Sequence, residues 1–297
     1  MNLWLLLLIL AGAYLVAVIE NWVVTGRLRL LAPLLAGIAL LGRESLVPRL
    51  PDRLLFETAP PLLLAAAILS MAVLPLAPGT VLVDLATGAL FVNAALAYVM
   101  VAVVMAGWGP DAAYAMIGGW RFLGQLVAYS MLIVMPITAV AMRAQSLVTT
   151  AIVSSQAPLP NAVAQPLGFL LFFLAAMAVA FLPPFDLPTA SDLADGVFGE
   201  YTGARLAILR LARLVLVLSL ATAVTVFYLG GWLGPLLPPA FWTIVKTLAV
   251  AAVMLLGGRY LPRTRSDHLL EWSWKLGIPL ALVNIFWVGI TLLVVQR

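Results

Sequence analysis

The chain has 297 residues, 64% of them hydrophobic and only 9% charged, with a mean hydropathy of +1.13, a composition that a water-soluble domain does not sustain. It has no cysteine and one histidine, His268, which excludes an iron-sulfur cluster, a cysteine-rich zinc site or a bis-histidine haem held by this chain alone. The net charge of +4 would point a soluble protein towards acidic partners, but in a membrane chain the arginines must first be read against topology; no nucleic-acid partner is expected.

A spanning helix needs about 20 apolar residues. Eight runs approach that length, near 3–24, 58–77, 85–106, 122–141, 167–182, 206–229, 241–256 and 276–295. The sequence therefore predicts an all-α integral membrane protein, a single polytopic domain with eight transmembrane helices. The first run has no basic residue ahead of it and carries Glu20 and Asn21 near its end, so it reads as a retained span rather than a signal peptide. Between the first two runs, the stretch Leu28 to Leu41 is short, interrupted by Pro33 and bracketed by arginines. That pattern predicts an interfacial helix on the cytoplasmic surface, in contact with lipid.

Basic residues alternate between connections. The odd ones hold Arg27, Arg29, Arg43, Arg49 and Arg53, then Arg121, then Arg205, then Arg259, Arg263, Arg265 and Lys275; the even ones hold only Arg143, and Arg297 stands at the far terminus. The positive-inside rule then puts odd loops in the cytoplasm and both termini outside, in a cytoplasmic (inner) membrane. The fifth connection concentrates Asp186, Asp192, Asp195 and Glu200, four of the twelve acids, so polar chemistry gathers on the cytoplasmic side. No fixed-period repeat and no pair of inverted halves marks the chain as a secondary transporter.

Several polar segments resemble one family. Pro184-Phe185-Asp186-Leu187-Pro188, then Glu200-Tyr201-Thr202-Gly203 and Leu229-Gly230-Gly231-Trp232, resemble the H-type (or type 1) eight-helix membrane subunit of respiratory complex I, NADH:quinone oxidoreductase. The same family includes the membrane anchors of formate hydrogenlyase and of energy-converting membrane-bound nickel-iron hydrogenases. Arg259 to Asp267, Trp274-Lys275 and Pro279-Leu280 resemble its last cytoplasmic loop and span, and Lys246 falls where the family has a lysine in span seven. Ala106-Gly107-Trp108, Tyr114-Ala115 and, more weakly, Pro33-Leu34 and Arg43-Glu44 resemble earlier loops. The sequence also departs from the pattern. Val179, Ala180, Phe181 and Leu182 replace a Glu-Thr-Asn-Arg run, Ser130 and Arg213 stand at positions expected to be glutamates, and the first loop is reduced to Gly26-Arg27-Leu28-Arg29.

An ionisable group within a span costs about 2.5–3.5 kcal/mol at mid-bilayer on insertion scales, so each needs a partner or a function. The ion-pathway or coupling candidates are Glu20, Asp186, Asp192, Asp195, Glu200 and Lys246. Asp192 and Asp195 are three apart and would share a face if helical, while Asp186 is fixed between two prolines, where it would cap the next helix or meet a docked subunit. Lys246 must reach a carboxylate, a carbonyl or the outer surface. Arg210 and Arg213 share a face at the start of span six, with snorkelling as their simplest reading. The candidates for docking a soluble redox arm are Arg205, Arg259, Arg263, Arg265, Asp267 and Lys275.

The resemblance implies a membrane anchor and coupling subunit that docks a soluble electron-transfer arm and links electron transfer to proton or sodium translocation. It implies no cofactor in this chain, with iron-sulfur clusters and a nickel-iron centre or flavin in partner subunits. The expected partners are antiporter-like membrane chains and hydrogenase-like or quinone-reductase-like subunits on the cytoplasmic face. The reduced first loop leaves quinone use open. A purely structural anchor and a stand-alone transporter are the rival readings.

Overall fold

A computed structural model describes residues 3–295, and among them it contains helices and turns but no β-strand. In chain order the helices are α1 (Leu3–Thr25), α2 (Ala32–Leu41), α3 (Arg53–Ala72), α4 (Gly88–Trp108), α5 (Ala113–Ala144), α6 (Thr149–Ser154), α7 (Asn161–Ala164), α8 (Pro166–Val179), α9 (Gly203–Tyr228), α10 (Pro239–Tyr260), α11 (Ser266–Trp272) and α12 (Ile278–Val295). A π-helical turn, Ser273–Gly277, makes α11 and α12 one continuous rod. Seven helices among the described residues, counting that rod once, are long and apolar enough to cross a membrane. The chain is an all-α integral membrane protein. Arg297, at the far terminus, lies outside the described residues.

Local chemistry sets the helix ends. Asp52 caps α3, its Oδ1 accepting from the backbone N–H of Leu54 at 3.1 Å and of Leu55 at 3.3 Å, so the helix starts at Arg53, ahead of the apolar run beginning at Thr58. The fifth apolar run folds as α8, whose 14 residues rise only ~21 Å, short of the ~30 Å hydrocarbon core. The reason is a left-handed stop: Phe181 has φ +53°, and the N–H groups of Phe181 and Leu182 turn back to the carbonyls of Ala178 and Met177. Pro183 and Pro184 follow, and neither can continue a helix. The region after Gly26 keeps a short helix, α2, with Leu34, Leu35, Ile38 and Leu41 exposed on a piece too short to span, as an interfacial element requires.

α9 is the axis of the bundle, packed against α3, α10, α1, α2 and α8. Every residue from Val215 to Tyr228 is buried, the mark of a helix enclosed on all sides. Helices in lipid associate through close packing rather than exclusion of water, and the small residues Ala212, Ser219, Ala221, Thr222, Ala223 and Thr225 on α9 allow that approach.

Charge is unequal between the two ends of the bundle. One end carries the arginine-rich loops, joined by the Arg205–Glu57 pair between α9 and α3, by Arg259 Nη1 donating to Val23 O at 2.6 Å, and by Thr264 N donating to Pro184 O at 3.1 Å. At the opposite end Thr149 Oγ1 donates to Val73 O and Thr243 Oγ1 to Leu76 O. Of the described charged residues only Asp84, Arg143 and Lys246 lie towards that second end.

Candidate functional site

The loop between α8 and α9, residues 180–202, builds the site. It cannot be a helix: Ala194 and Asp195 have φ +49° and +68°, and Gly196 has φ +50° with a position for Cβ only 2.1 Å from Pro188 O. These left-handed residues fold the segment into three tight turns, Leu187–Thr189, Ser191–Leu193 and Gly196–Phe198, laid against α5. Asp192 and Asp195 therefore do not share a helical face. Asp192 turns to Arg121 on α5, at 2.9 Å, and this hydrogen bond holds its carboxyl below the usual aspartate range. Asp195 lines a cleft on the other side.

That cleft, of about 480 Å³, is walled by Glu20 from α1, Asp186, Asp195 and Tyr201 from the loop, and Arg210 and Arg213 from α9. Glu20 and Arg213 form an ion pair at 3.0 Å, and both also border a neighbouring hollow of about 310 Å³ that runs between α1 and α10 to Arg259. Arg213 is thus a partnered cation rather than a snorkelling one. Its Nε is buried with no hydrogen-bond partner.

Asp186 makes no capping hydrogen bond to the turn that follows it. Instead its buried carboxylate meets Arg263 at 3.1 Å, and the residue separates the cleft from a second hollow bordered by Arg121, Asp192, Arg265 and Asp267. Gln125 on α5 holds the start of this loop, its Nε2 donating at 2.9 Å to both Ala178 O and Phe185 O.

Tyr201 lines the cleft beside the start of α9. Its ring stacks on Phe56 with centroids 4.5 Å apart, Arg205 lies over the same Phe56 ring at 5.2 Å, and burial holds the Tyr201 hydroxyl above the usual phenol range. Arg205 binds Glu57 with two nitrogens, at 2.9 and 2.6 Å, and Ser45 with a third contact at 2.7 Å. The turn into α9 needs glycine at position 203, where φ is +59° and a Cβ would stand 2.8 Å from Arg43 O. Glu200 is half-buried beside this turn but does not line the cleft.

The structure thus gathers Glu20, Asp186, Asp192 and Asp195 at one end, and with them most of the docking candidates. Arg205, Arg259 and Arg263 are tied to this chain's own acids or carbonyls, Lys275 pairs with Glu271 one turn earlier, and Arg265 and Asp267 are exposed. Lys246 is elsewhere, at the opposite end, its ammonium donating to the carbonyls of Leu229, Gly231 and Leu233. Reasoning from sequence missed Glu57, which only the fold brings to Arg205. Gln125, an amide within an apolar span, makes an interhelical bond to Ala178 O on α8 and also reaches Phe185 O in the loop, a second partner that only the fold supplies. No group of three or more Asp, Glu, His or Cys side chains among the described residues is arranged to hold a metal.

An all-helical membrane subunit with a polar cleft at its arginine-rich end is the class that these features define. Residues 20–289 match the family model described as NADH dehydrogenase. The chain is 36% identical over 266 residues to the H-type subunit of NADH-quinone oxidoreductase from Syntrophotalea carbinolica, covering 86% of this chain and 81% of that protein. It is 35% identical over 274 residues to the second H-type subunit of NADH-quinone oxidoreductase from Syntrophobacter fumaroxidans, covering 89% and 83%. The chain belongs to the family of the H-type membrane subunit of complex I.

Proposed function

We propose that this chain anchors the soluble arm of a complex I-like redox complex and couples electron transfer to ion translocation through the cleft at its arginine-rich end. The observation that carries the reading is the convergence of Glu20, Asp186, Asp195, Arg210 and Arg213 on one cavity, with acids from a helix and a loop that are far apart in sequence. Ion pairs such as Glu20–Arg213 and Asp186–Arg263 hold charge that a docked partner or a proton can redistribute. The arginine-rich end is the cytoplasmic one, by the excess of basic residues in its loops, and the exposed Arg265 and Asp267 border the surface where the soluble arm docks.

The relatives are named for quinone, which supports it as the electron acceptor in this reading, with the cleft as the place offered to its head group. The reduced first loop, Gly26 to Arg29, favours a hydrogenase-like assembly as the second reading, in which that role lapses. Glu20→Gln and Asp186→Asn in the assembled complex are expected to lower ion translocation per electron while electron transfer persists. Unchanged translocation in both variants would leave the structural anchor as the reading. Flavin without nickel in the purified complex identifies the dehydrogenase form, and nickel the hydrogenase form.

A further inference from the structure

The polar groups at the end opposite the cleft have no part in that reading. A helix leaves its last four carbonyls without intrahelical partners, and side chains from other segments take two of these carbonyls at the end of α9 and three more in the turn that follows it. Gln156 Nε2 donates to Val226 O at 2.8 Å and Asn161 Nδ2 to Phe227 O at 2.7 Å, while Lys246 Nζ donates to Leu229 O at 2.8 Å, Gly231 O at 3.1 Å and Leu233 O at 2.7 Å. Gln156 Oε1 accepts from the N–H groups of Asn161 and Gly230. Arg143, from α5, donates to Asn161 Oδ1. Two cations are thereby fixed in one hydrogen-bonded collar around the end of the central helix.

Among the described residues neither cation meets a carboxylate, and the acid nearest that end in sequence, Asp84, is exposed. All three donors of the ammonium are used on carbonyl oxygens, which cannot act as bases for its proton. A lysine so held is a fixed charge, not a carrier.

Polar side chains occur along α9 between the cleft and this collar. Beyond Arg213 come Ser219, whose Oγ lies 2.6 Å from Ser70 Oγ, then Thr222 and Thr225, bonded back to the carbonyls of Leu218 and Ala221. Thr247, next to Lys246, has a buried hydroxyl with no partner. These hydroxyls are the polar groups on the packed stretch between the cleft and the collar, and positive charge fixed beyond them opposes the entry of protons, as an arginine does in water-selective pores.

We infer that Arg143 and Lys246 form a positive seal that closes this chain to protons at the end opposite the cleft. Ions that the complex moves then leave through partner chains, and this subunit passes on charge changes without itself conducting across the membrane. The inference requires only that the chain spans a membrane, so its test can omit electron transfer.

The test uses the whole purified complex in vesicles, with a potassium diffusion potential set by valinomycin, no electron donor, and a luminal pH dye. Lys246→Arg keeps the charge but cannot titrate, and is expected to match the parent. Lys246→Met and Arg143→Gln each remove one charge and are expected to raise passive proton entry about tenfold, the factor a unit charge ~10 Å away imposes at an effective dielectric of ~20. Assembled Lys246→Met and Arg143→Gln complexes with parental leak would overturn the seal, as would a Lys246→Arg complex that leaks like Lys246→Met. If Lys246→Met does not assemble, Arg143→Gln and Lys246→Arg decide by the same readout. With donor present, translocation retained in Lys246→Arg supports a fixed charge, and translocation lost while electron transfer continues marks a carrier and rejects the seal. A parent complex that moves no ions with donor refutes the coupling reading but leaves the leak result intact.

Discussion

Glu20 on α1 and Arg213 on α9 pair at 3.0 Å on the shared wall of two hollows, so the first span is electrostatically tied to the central helix at the level of the cleft. Arg213 stands where the family resemblance expects a glutamate, and a carboxylate there would face Glu20 across the same gap. The two would not both ionise, since like charges at that distance raise one carboxyl's pKa strongly. Both side chains are about one quarter exposed, at 29% for Glu20 and 26% for Arg213, so a double-mutant cycle on thermal stability in detergent should give a coupling near 1 kcal/mol after allowance for solvent. Arg213→Glu alone should cost more than Arg213→Gln, and the swap Glu20→Arg with Arg213→Glu should recover part of it.

Arg205 offers a sharper geometric test. Its fork engages both oxygens of Glu57 while its face covers Phe56. Lysine keeps the charge but loses the two-pronged contact and the stacking plane. Arg205→Lys should lower stability by about 1 kcal/mol, a value discounted for the half-exposed Glu57, and should release the segment around Ser45 to proteolysis. An unchanged digestion pattern would show that Ser45 is held by other contacts.

The Arg121–Asp192 contact sets a pH window. Asp192 is held below its unfolded value by the hydrogen bond from Arg121, so its contribution is full above about pH 4 and is lost as pH falls through the lower, folded value. Attachment of the loop to α5 should therefore be constant from neutral pH down to about pH 4 and loosen only below that. Limited proteolysis of the loop against pH measures this. Asp192→Asn should remove the acid transition, and a transition that persists in the variant would assign it to another group.

Gln125 bears on the loop from inside the bundle. Replacing it with methionine, of similar length, leaves Phe185 O without its donor, while Ala178 O keeps the N–H of Phe181, at a cost of about 1–2 kcal/mol. Reduced thermal stability of the complex with early loss of the loop's protection from hydrogen exchange is the expected result. Gly196→Ala should act on the same loop from its other end, because the added methyl would meet Pro188 O.

Much of this was legible in the sequence, and the reasons differ by element. The all-helical membrane class follows from composition and from runs as plain as Leu206 to Leu229. The acids at positions 186, 192 and 195 signalled the site because apolar surroundings make charge conspicuous. What could not be read was pairing. Asp192 and Asp195 suggested one helical face, yet two consecutive positive φ values send them to different hollows. Nothing at Glu57 pointed to Arg205, since the partners are 148 positions apart. The early stop of α8 was hidden because Phe181 and Leu182 are as apolar as the helix before them, and only the backbone turn distinguishes them.

The depth of the cleft has an electrical consequence. Its wall reaches Arg213 and Leu214 on α9, ten residues or ~15 Å along a helix ~39 Å long. An aqueous inlet of that depth carries the potential of its own side inward, so a transmembrane voltage falls across the remaining packed part of the bundle rather than its full thickness. A charge displaced between Arg213 and the far end would then cross nearly the whole voltage, about 2.3 kcal/mol per 100 mV, over little more than half the distance.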